Sequence, residues 1–213
     1  MKYIQKLFQH YSCLLPLRKK LQEAVNSLEK CVRKGNKILV CGNGGSAADA
    51  EHIVGELMKS FLLPRPIPPV HRERLLVSSP YPVDDALLEK LQQPIPAISL
   101  TGETAFSTAF ANDVAFEYSF AQQVLGLGKP DDILWAISTS GNSPNVIYAL
   151  RLARAMGLVT LGLTGQDGGI MSEYCDILIR VPAKKTPDIQ ELHLPIYHAL
   201  CAELEEKFFK LKM

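Results

Sequence analysis

The 213-residue chain has few cysteines, no surplus charge and no long apolar run, and each shortage removes a class of protein. Its five cysteines, at positions 13, 31, 41, 175 and 201, are odd in number and scattered. That pattern makes neither a disulfide framework nor a zinc finger and points to a reducing cytoplasm. Lysine and arginine total 23 against 22 acids, giving a formal charge of +1, and no basic stripe interrupts the balance, so a nucleic-acid partner is not indicated. No stretch approaches the ~20 apolar residues of a membrane span, and the N-terminus lacks an apolar signal core, which argues against insertion and secretion. What remains, 47% apolar and 21% charged residues, is the composition of one soluble globular domain with a sizeable core.

Within that composition, Lys37 to Leu57 carries the most information. Lys37-Ile38-Leu39-Val40-Cys41 has the form of a strand buried on both faces, broken sharply by Gly42-Asn43-Gly44-Gly45-Ser46. A glycine loop opening a helix lets the backbone approach a ligand and offers unpaired N–H groups to an anion, which favours a phosphate or a polar sugar. The helix predicted from Ala47 to Leu57 projects His52 and Glu56 from one face. The same spacing also describes a solvated i,i+4 pair, and a glycine turn after a strand occurs in many α/β proteins.

The segments on either side complete an alternating pattern. Apolar residues from Ile4 to Val32 recur at helical spacing over Tyr3 to Arg33, with Pro16 set to kink or divide the helix and a face available to another subunit. Prolines 64, 66, 68, 69, 80, 82, 94 and 96 mark an excursion with little room for regular structure beyond a short helix at Asp84 to Gln92. It could be a surface lid or a tolerated loop. Further strands are predicted at Ala97 to Leu100, Ile133 to Ile137, Val159 to Leu163 and Ile177 to Val181. Helices are predicted at Thr104 to Ala111, Phe116 to Leu125, Asn145 to Met156, Gly168 to Tyr174, and from Thr186-Pro187 to Phe209, with Asn112-Asp113 as loop-formers. Strands joined by helical crossovers imply a five-stranded parallel sheet, with the loops after Cys41, Leu100, Ile137 and Leu163 sharing one rim.

The loop after Ile137 reads Ser138-Thr139-Ser140-Gly141-Asn142-Ser143-Pro144, which places four hydroxyls at a helix start. Hydroxyls and helix N–H groups together hold a phosphate without a cationic side chain, although an N-cap cluster has the same composition. The C-terminal helix presents Gln190, Glu191, His193 and His198; by themselves its two histidines read as core or surface residues rather than as functional ones.

Taken together, Cys41 to Ser46, His52 with Glu56, Ala111-Asn112-Asp113, Ser138 to Ser143, Leu163 to Gly169, and Ile189-Gln190-Glu191 with His198 resemble the bacterial phosphoheptose isomerases of the sugar-isomerase (SIS) fold. The resemblance spans nearly the whole chain. It implies a single SIS domain, a three-layer α/β/α sandwich of flavodoxin-like form, assembled as a cytoplasmic homotetramer with zinc at each site. The implied reaction converts sedoheptulose 7-phosphate to D-glycero-D-manno-heptose 7-phosphate, a lipopolysaccharide precursor. Carried over by position, Ser138, Thr139, Ser140 and Ser143 hold phosphate. Asn43, Gly44, Gly45, Ser46, Glu56, Asn112, Asp113 and Gln190 contact substrate. His52, Glu56, Gln190 and His198 bind zinc, with Glu56 as base and His198 as acid.

Three features depart from that family: the long excursion, Ser60 where arginine is usual, and Asp188 where another arginine often precedes Ile-Gln-Glu. Lys59, Arg65 or Lys185 are the cations available to compensate. Losing two positive charges beside an anionic substrate also leaves open an isomerase of another phosphosugar, and a further reading is a non-catalytic tetrameric relative that binds the replication initiator protein; the presence of both Glu56 and His198 argues for the enzyme. In a regular helix, Gln190 and His198 stand roughly 12 Å apart along the axis and about 80° apart around it. One metal fits both poorly, which predicts a site completed across a subunit boundary, with a C-terminal ligand from a neighbour.

Overall fold

The structure is a computed structural model that describes residues 1–77, 81 and 83–210; Pro80 and Pro82 of the excursion lie outside the described residues. The chain opens with α1 (Lys2–His10), a 3-10 turn at Ser12–Leu17 that contains Pro16, and α2 (Arg18–Arg33). Pro16 therefore divides the N-terminal periodicity, because its ring cannot supply the N–H an α-helix needs. Then follow β1 (Ile38–Gly42), α3 (Gly45–Met58), α4 (Pro69–Val77), α5 (Asp85–Lys90), β2 (Ala97–Ser99), α6 (Thr104–Asp113), a 3-10 turn at Phe116–Tyr118, and α7 (Ser119–Leu127). The remainder is β3 (Ile133–Ser138), α8 (Pro144–Ala155), β4 (Val159–Thr164), α9 (Met171–Tyr174), β5 (Ile177–Arg180) and α10 (Thr186–Phe209).

The five strands form one parallel sheet in the order β2-β1-β3-β4-β5. Alternation along the strands makes three layers. Ile38 and Val40, with Ile133, Trp135 and Ile137, face a cluster built with α1, α2, α3 and α10. Leu39 and Cys41, with Leu134 and Ala136, face α7, α8 and α9. Strand order reverses between β1 and β3, and in such sheets the crevice at the reversal, beyond the carboxyl ends of the strands, is where ligands sit.

Several sequence expectations need correction. Asn112 and Asp113 close the last turn of α6 rather than forming a loop. Thr186 is the first residue of α10, whose cap position is Lys185, with no side-chain cap bond. The excursion holds two helices, not one. Asp84 caps α5 by accepting the Leu87 N–H at 2.7 Å, and Pro69 begins α4, which buries none of its side chains. The excursion leaves from the C-terminal end of α3, at the opposite end of the helix from the glycine loop. Its bases are tied by a bridge between Pro66 and Gln92.

His193 of α10 is fully buried and neither ring nitrogen has a hydrogen bond; the Thr164 backbone lies beside it without bonding geometry. Burial pushes its pKa down to about 4 from the ordinary 6.5. As pH falls below about 6.5 the unfolded chain takes up a proton that the folded chain refuses. Stability is therefore lost progressively down to about pH 4, by about 3 kcal/mol in all. Urea unfolding should show a steeper loss between pH 7 and 5 in the parent chain than in His193→Phe; equal slopes would mean that this ring does not titrate between the two states.

Candidate active site

The rim at the switch point is built from two loops that succeed adjacent strands. After β1, the chain turns through Asn43 and Gly44 into α3. A side chain at Gly45 would place its Cβ 2.3 Å from Gln190 Nε2, so only glycine lets α10 lay Gln190 across the start of α3. After β3, Gly141 (φ +67°) meets the β4 loop so closely that a Cβ would fall 2.1 Å from the Gly168 carbonyl oxygen. Between the two loops lies a cleft lined by Asn43, Gly44, Gly45, Ser46, Ser138, Thr139, Ser143, Thr186 and Gln190. Ser140 faces an adjoining cavity with Thr139, Asn142, Gly165 and Asp167.

The hydroxyls of this cleft are not consumed by capping. Ser143 occupies the cap position of α8 but makes no side-chain cap bond. Its hydroxyl lies 3.0 Å from that of Ser138, while Ser140 Oγ accepts the Asn142 N–H at 3.1 Å. Pro144 follows at the helix start, where its missing N–H costs nothing. An N-terminus with spare hydroxyls is an anion site in both charge and donor supply.

Asn145 was not singled out from the sequence, yet it fixes Asn43. The two amides exchange reciprocal hydrogen bonds of 2.8 Å each, and Asn145 is buried. No local signal could have found it, since the partners are 102 positions apart. Asn112 and Asp113, by contrast, do not line the cleft. They are exposed, and Asn112 Nδ2 donates to Asp113 Oδ1 at 2.8 Å.

Farther along α3 the ionisable groups gather. His52 Nε2 lies 3.2 Å from Glu56 Oε1 and 3.4 Å from His198 Nε2 of the same chain. The rings of His52 and His198 meet edge to face with centroids 5.0 Å apart, and Phe61 packs on His198 at 5.5 Å. Glu56 is 8% exposed, and its Oε2 is buried with no partner. Burial, then the neighbouring His52, pushes the His198 pKa below the ordinary histidine range, against the pull of Glu56.

Helix α10 thus delivers Gln190 to the glycine loop and His198 to His52. The spacing argument predicted at least one C-terminal ligand from a neighbouring subunit; within one chain, packing α10 along α3 already brings His198 to His52. Gln190 lines the cleft at the glycine loop, while His52, Glu56 and His198 meet farther along α3; among the described residues no group of three His, Cys, Asp or Glu side chains stands ready to hold a metal.

The cations named as compensators differ in availability. Arg65 is buried and paired with Glu205 at 2.8 Å, which removes it. Lys59 Nζ donates to the Ser60 carbonyl at 3.2 Å on the surface, and Lys185 is exposed one residue before Thr186 of the cleft. Asp188 is exposed in the first turn of α10.

A doubly wound sheet with a hydroxyl-rich helix start at its switch point defines the sugar-isomerase class of phosphosugar-binding domains, and the SIS domain family profile matches residues 2–75 and 87–165. The phosphoheptose isomerase of Nitratidesulfovibrio vulgaris is 41% identical over 177 residues, 83% of this chain and 72% of that protein. That of Rhodospirillum rubrum is 39% identical over 186 residues, 87% of this chain and 85% of that protein. Among solved structures, phosphoheptose isomerase GmhA from Neisseria gonorrhoeae superposes with a TM-score of 0.74 at 31% identity, over 96% of each chain. The chain belongs to the phosphoheptose isomerase family of SIS-domain proteins. It is accordingly an isomerase of the aldose–ketose class.

Proposed function

We propose that the chain interconverts sedoheptulose 7-phosphate and D-glycero-D-manno-heptose 7-phosphate as a cytoplasmic homotetramer. The observation that carries the reading is an uncapped serine loop before α8 whose cleft is bordered by Gly45 of α3 and Gln190 of α10, the two helices that also carry the His-Glu-His cluster. Ser138, Thr139, Ser140 and Ser143 hold the phosphate; Asn43, Gly44, Gly45, Ser46 and Gln190 hold the sugar hydroxyls. Glu56 removes the proton from C1 of the ketose while His198 donates one to the C2 oxygen, which gives the enediol. Returning a proton to C2 and removing the one on the C1 hydroxyl yields the aldose. Burial around His198 favours the neutral imidazole, which donates from its N–H.

Zinc is proposed at His52, Glu56 and His198. Two imidazole nitrogens and a carboxylate, 3.2 and 3.4 Å from one another through His52, are donor types that zinc accepts, and these three side chains would hold it. The unpartnered Glu56 Oε2 is a further acceptor without a donor. Gln190, set over Gly45, belongs to the sugar side. When bound, zinc supplies Lewis-acid polarisation of the carbonyl.

The direct test is turnover of sedoheptulose 7-phosphate by the full chain with zinc added and with zinc chelated; no turnover in either condition would overturn the assignment. A sharper check isolates the phosphate loop. The Ser138→Ala, Ser140→Ala double variant is expected to bind phosphosugars more weakly, by roughly tenfold or more for two lost hydrogen bonds to a charged group, with no change toward the unphosphorylated sugar. Equal loss for both ligands, measured by calorimetry, would remove the loop from phosphate binding.

A further inference from the structure

Tyr197 and Asp49 have no role in the reaction described above, yet they stand directly behind His52. The Tyr197 side chain is buried and its hydroxyl has two neighbours: it donates to Asp49 Oδ1 at 3.2 Å and lies 3.0 Å from His52 Nδ1. A phenol has one proton to give. Two considerations send it to Asp49. A carboxylate is the stronger acceptor. Asp49 also has no other hydrogen-bond donor among the described residues, since its Oδ2 is buried and unpartnered. Turning the hydroxyl toward the imidazole would leave that half-buried carboxylate, whose Oδ2 is already buried and unpartnered, with no donor among the described residues.

With its proton committed to Asp49, the Tyr197 oxygen can only accept from His52, so Nδ1 must carry the hydrogen. We propose that the Asp49–Tyr197 pair is a relay that fixes His52 as the Nδ1–H tautomer and turns the Nε2 lone pair into the gap shared with Glu56 and His198. The opposite tautomer would fill that gap with its own hydrogen, donated from Nε2 to Glu56 Oε1 at 3.2 Å. In the fixed tautomer, two electron-pair donors, His52 Nε2 and Glu56 Oε1, face each other at that distance, an arrangement that accepts a shared proton or a cation and repels otherwise. A carboxylate that orients a histidine through its far nitrogen serves metal sites in the same way; here a tyrosine hydroxyl is interposed. Tyr197 and Asp49 are therefore positioning residues, and what they position is a lone pair.

The value of the tautomer to catalysis rests on the isomerase reading of His52, whereas the tautomer itself does not. The experiment is a long-range proton–nitrogen NMR correlation on the full chain, labelled with 15N-histidine and stripped of metal with a chelator, at a pH where imidazoles are neutral. His52→Gln identifies the His52 signals by their loss. The parent chain is expected to show a protonated Nδ1 and an unprotonated Nε2 at His52. Tyr197→Phe should relax this to a mixture of tautomers. Asp49→Ala should invert it, because the freed hydroxyl then donates to Nδ1 and drives the hydrogen to Nε2; a purely structural role for Asp49 has no reason to reverse a tautomer. A protonated Nε2 in the parent chain overturns the relay, with no variant needed. Retention of the Nδ1–H form in both folded variants overturns it equally. A chain that shows the expected tautomers but turns over no phosphosugar leaves the relay standing and removes only the isomerase reading.

Discussion

Glu56→Gln is expected to lower turnover by at least ~10²-fold while leaving phosphate-ligand affinity close to that of the parent. Glutamine keeps the size of a largely buried side chain, so the packing of α3 is preserved. What is lost is the basic oxygen, and a positioned general base is worth ~10² to 10⁴ in rate. The phosphate loop sits at the start of α8 and does not touch Glu56, so binding measured with a phosphosugar should report an intact cleft. Steady-state kinetics and calorimetry on the same preparation separate the two quantities. Near-normal turnover in this variant would remove Glu56 from the mechanism.

The second large effect concerns Arg65, which links the excursion to α3 and α10. Its guanidinium and the Glu205 carboxylate are fully buried and paired at 2.8 Å. Arg65 Nη1 donates to the Leu57 carbonyl at 2.7 Å and Nη2 to the Glu56 carbonyl at 3.0 Å, which satisfies the C-terminal turn of α3. Its face lies over Phe209, 4.7 Å from the ring centroid. Glu205 in turn accepts the N–H groups of Phe61, Leu62 and Leu63 at 2.8, 2.7 and 3.0 Å. Removing one partner of such a buried pair leaves an uncompensated charge and costs about 3–5 kcal/mol. Arg65→Met is therefore expected to lower unfolding free energy by that amount in urea, and to reduce turnover as well, because α3 loses its anchor at the carbonyls of Glu56 and Leu57. A loss below about 1 kcal/mol would mean that the backbone around 61–65 holds its shape without the pair.

Much of this architecture is local in origin and could be recognised one segment at a time. Strands such as Ile133–Ser138 are apolar throughout because both faces of a parallel sheet are covered, and the glycine and serine loops announce themselves by composition. The departures arise where a local signal met a tertiary demand. Asn112 and Asp113 have turn-forming side chains, yet they sit in the last turn of α6 and bond each other. Pro195 lies inside α10, and the helix runs through it from Thr186 to Phe209, as the sequence predicts. Burial of that helix against α1, α2 and α3 outweighs one missing hydrogen bond.

The candidate site divides along the same line. Hydrophobic period, glycine placement and the serine run are properties of neighbours in the chain, so the α/β class, the sheet and both rim loops follow from residue order alone. Which side chains meet does not follow, because it depends on how α10 lies along α3. That packing sends Gln190 to Gly45 and His198 to His52, pairs Asn43 with Asn145, and buries Arg65 against Glu205 when its charge suggested a surface role. Contacts between residues 102 to 148 positions apart are decided by the volume and shape of the core between them, a quantity that belongs to the folded chain and to no stretch of it.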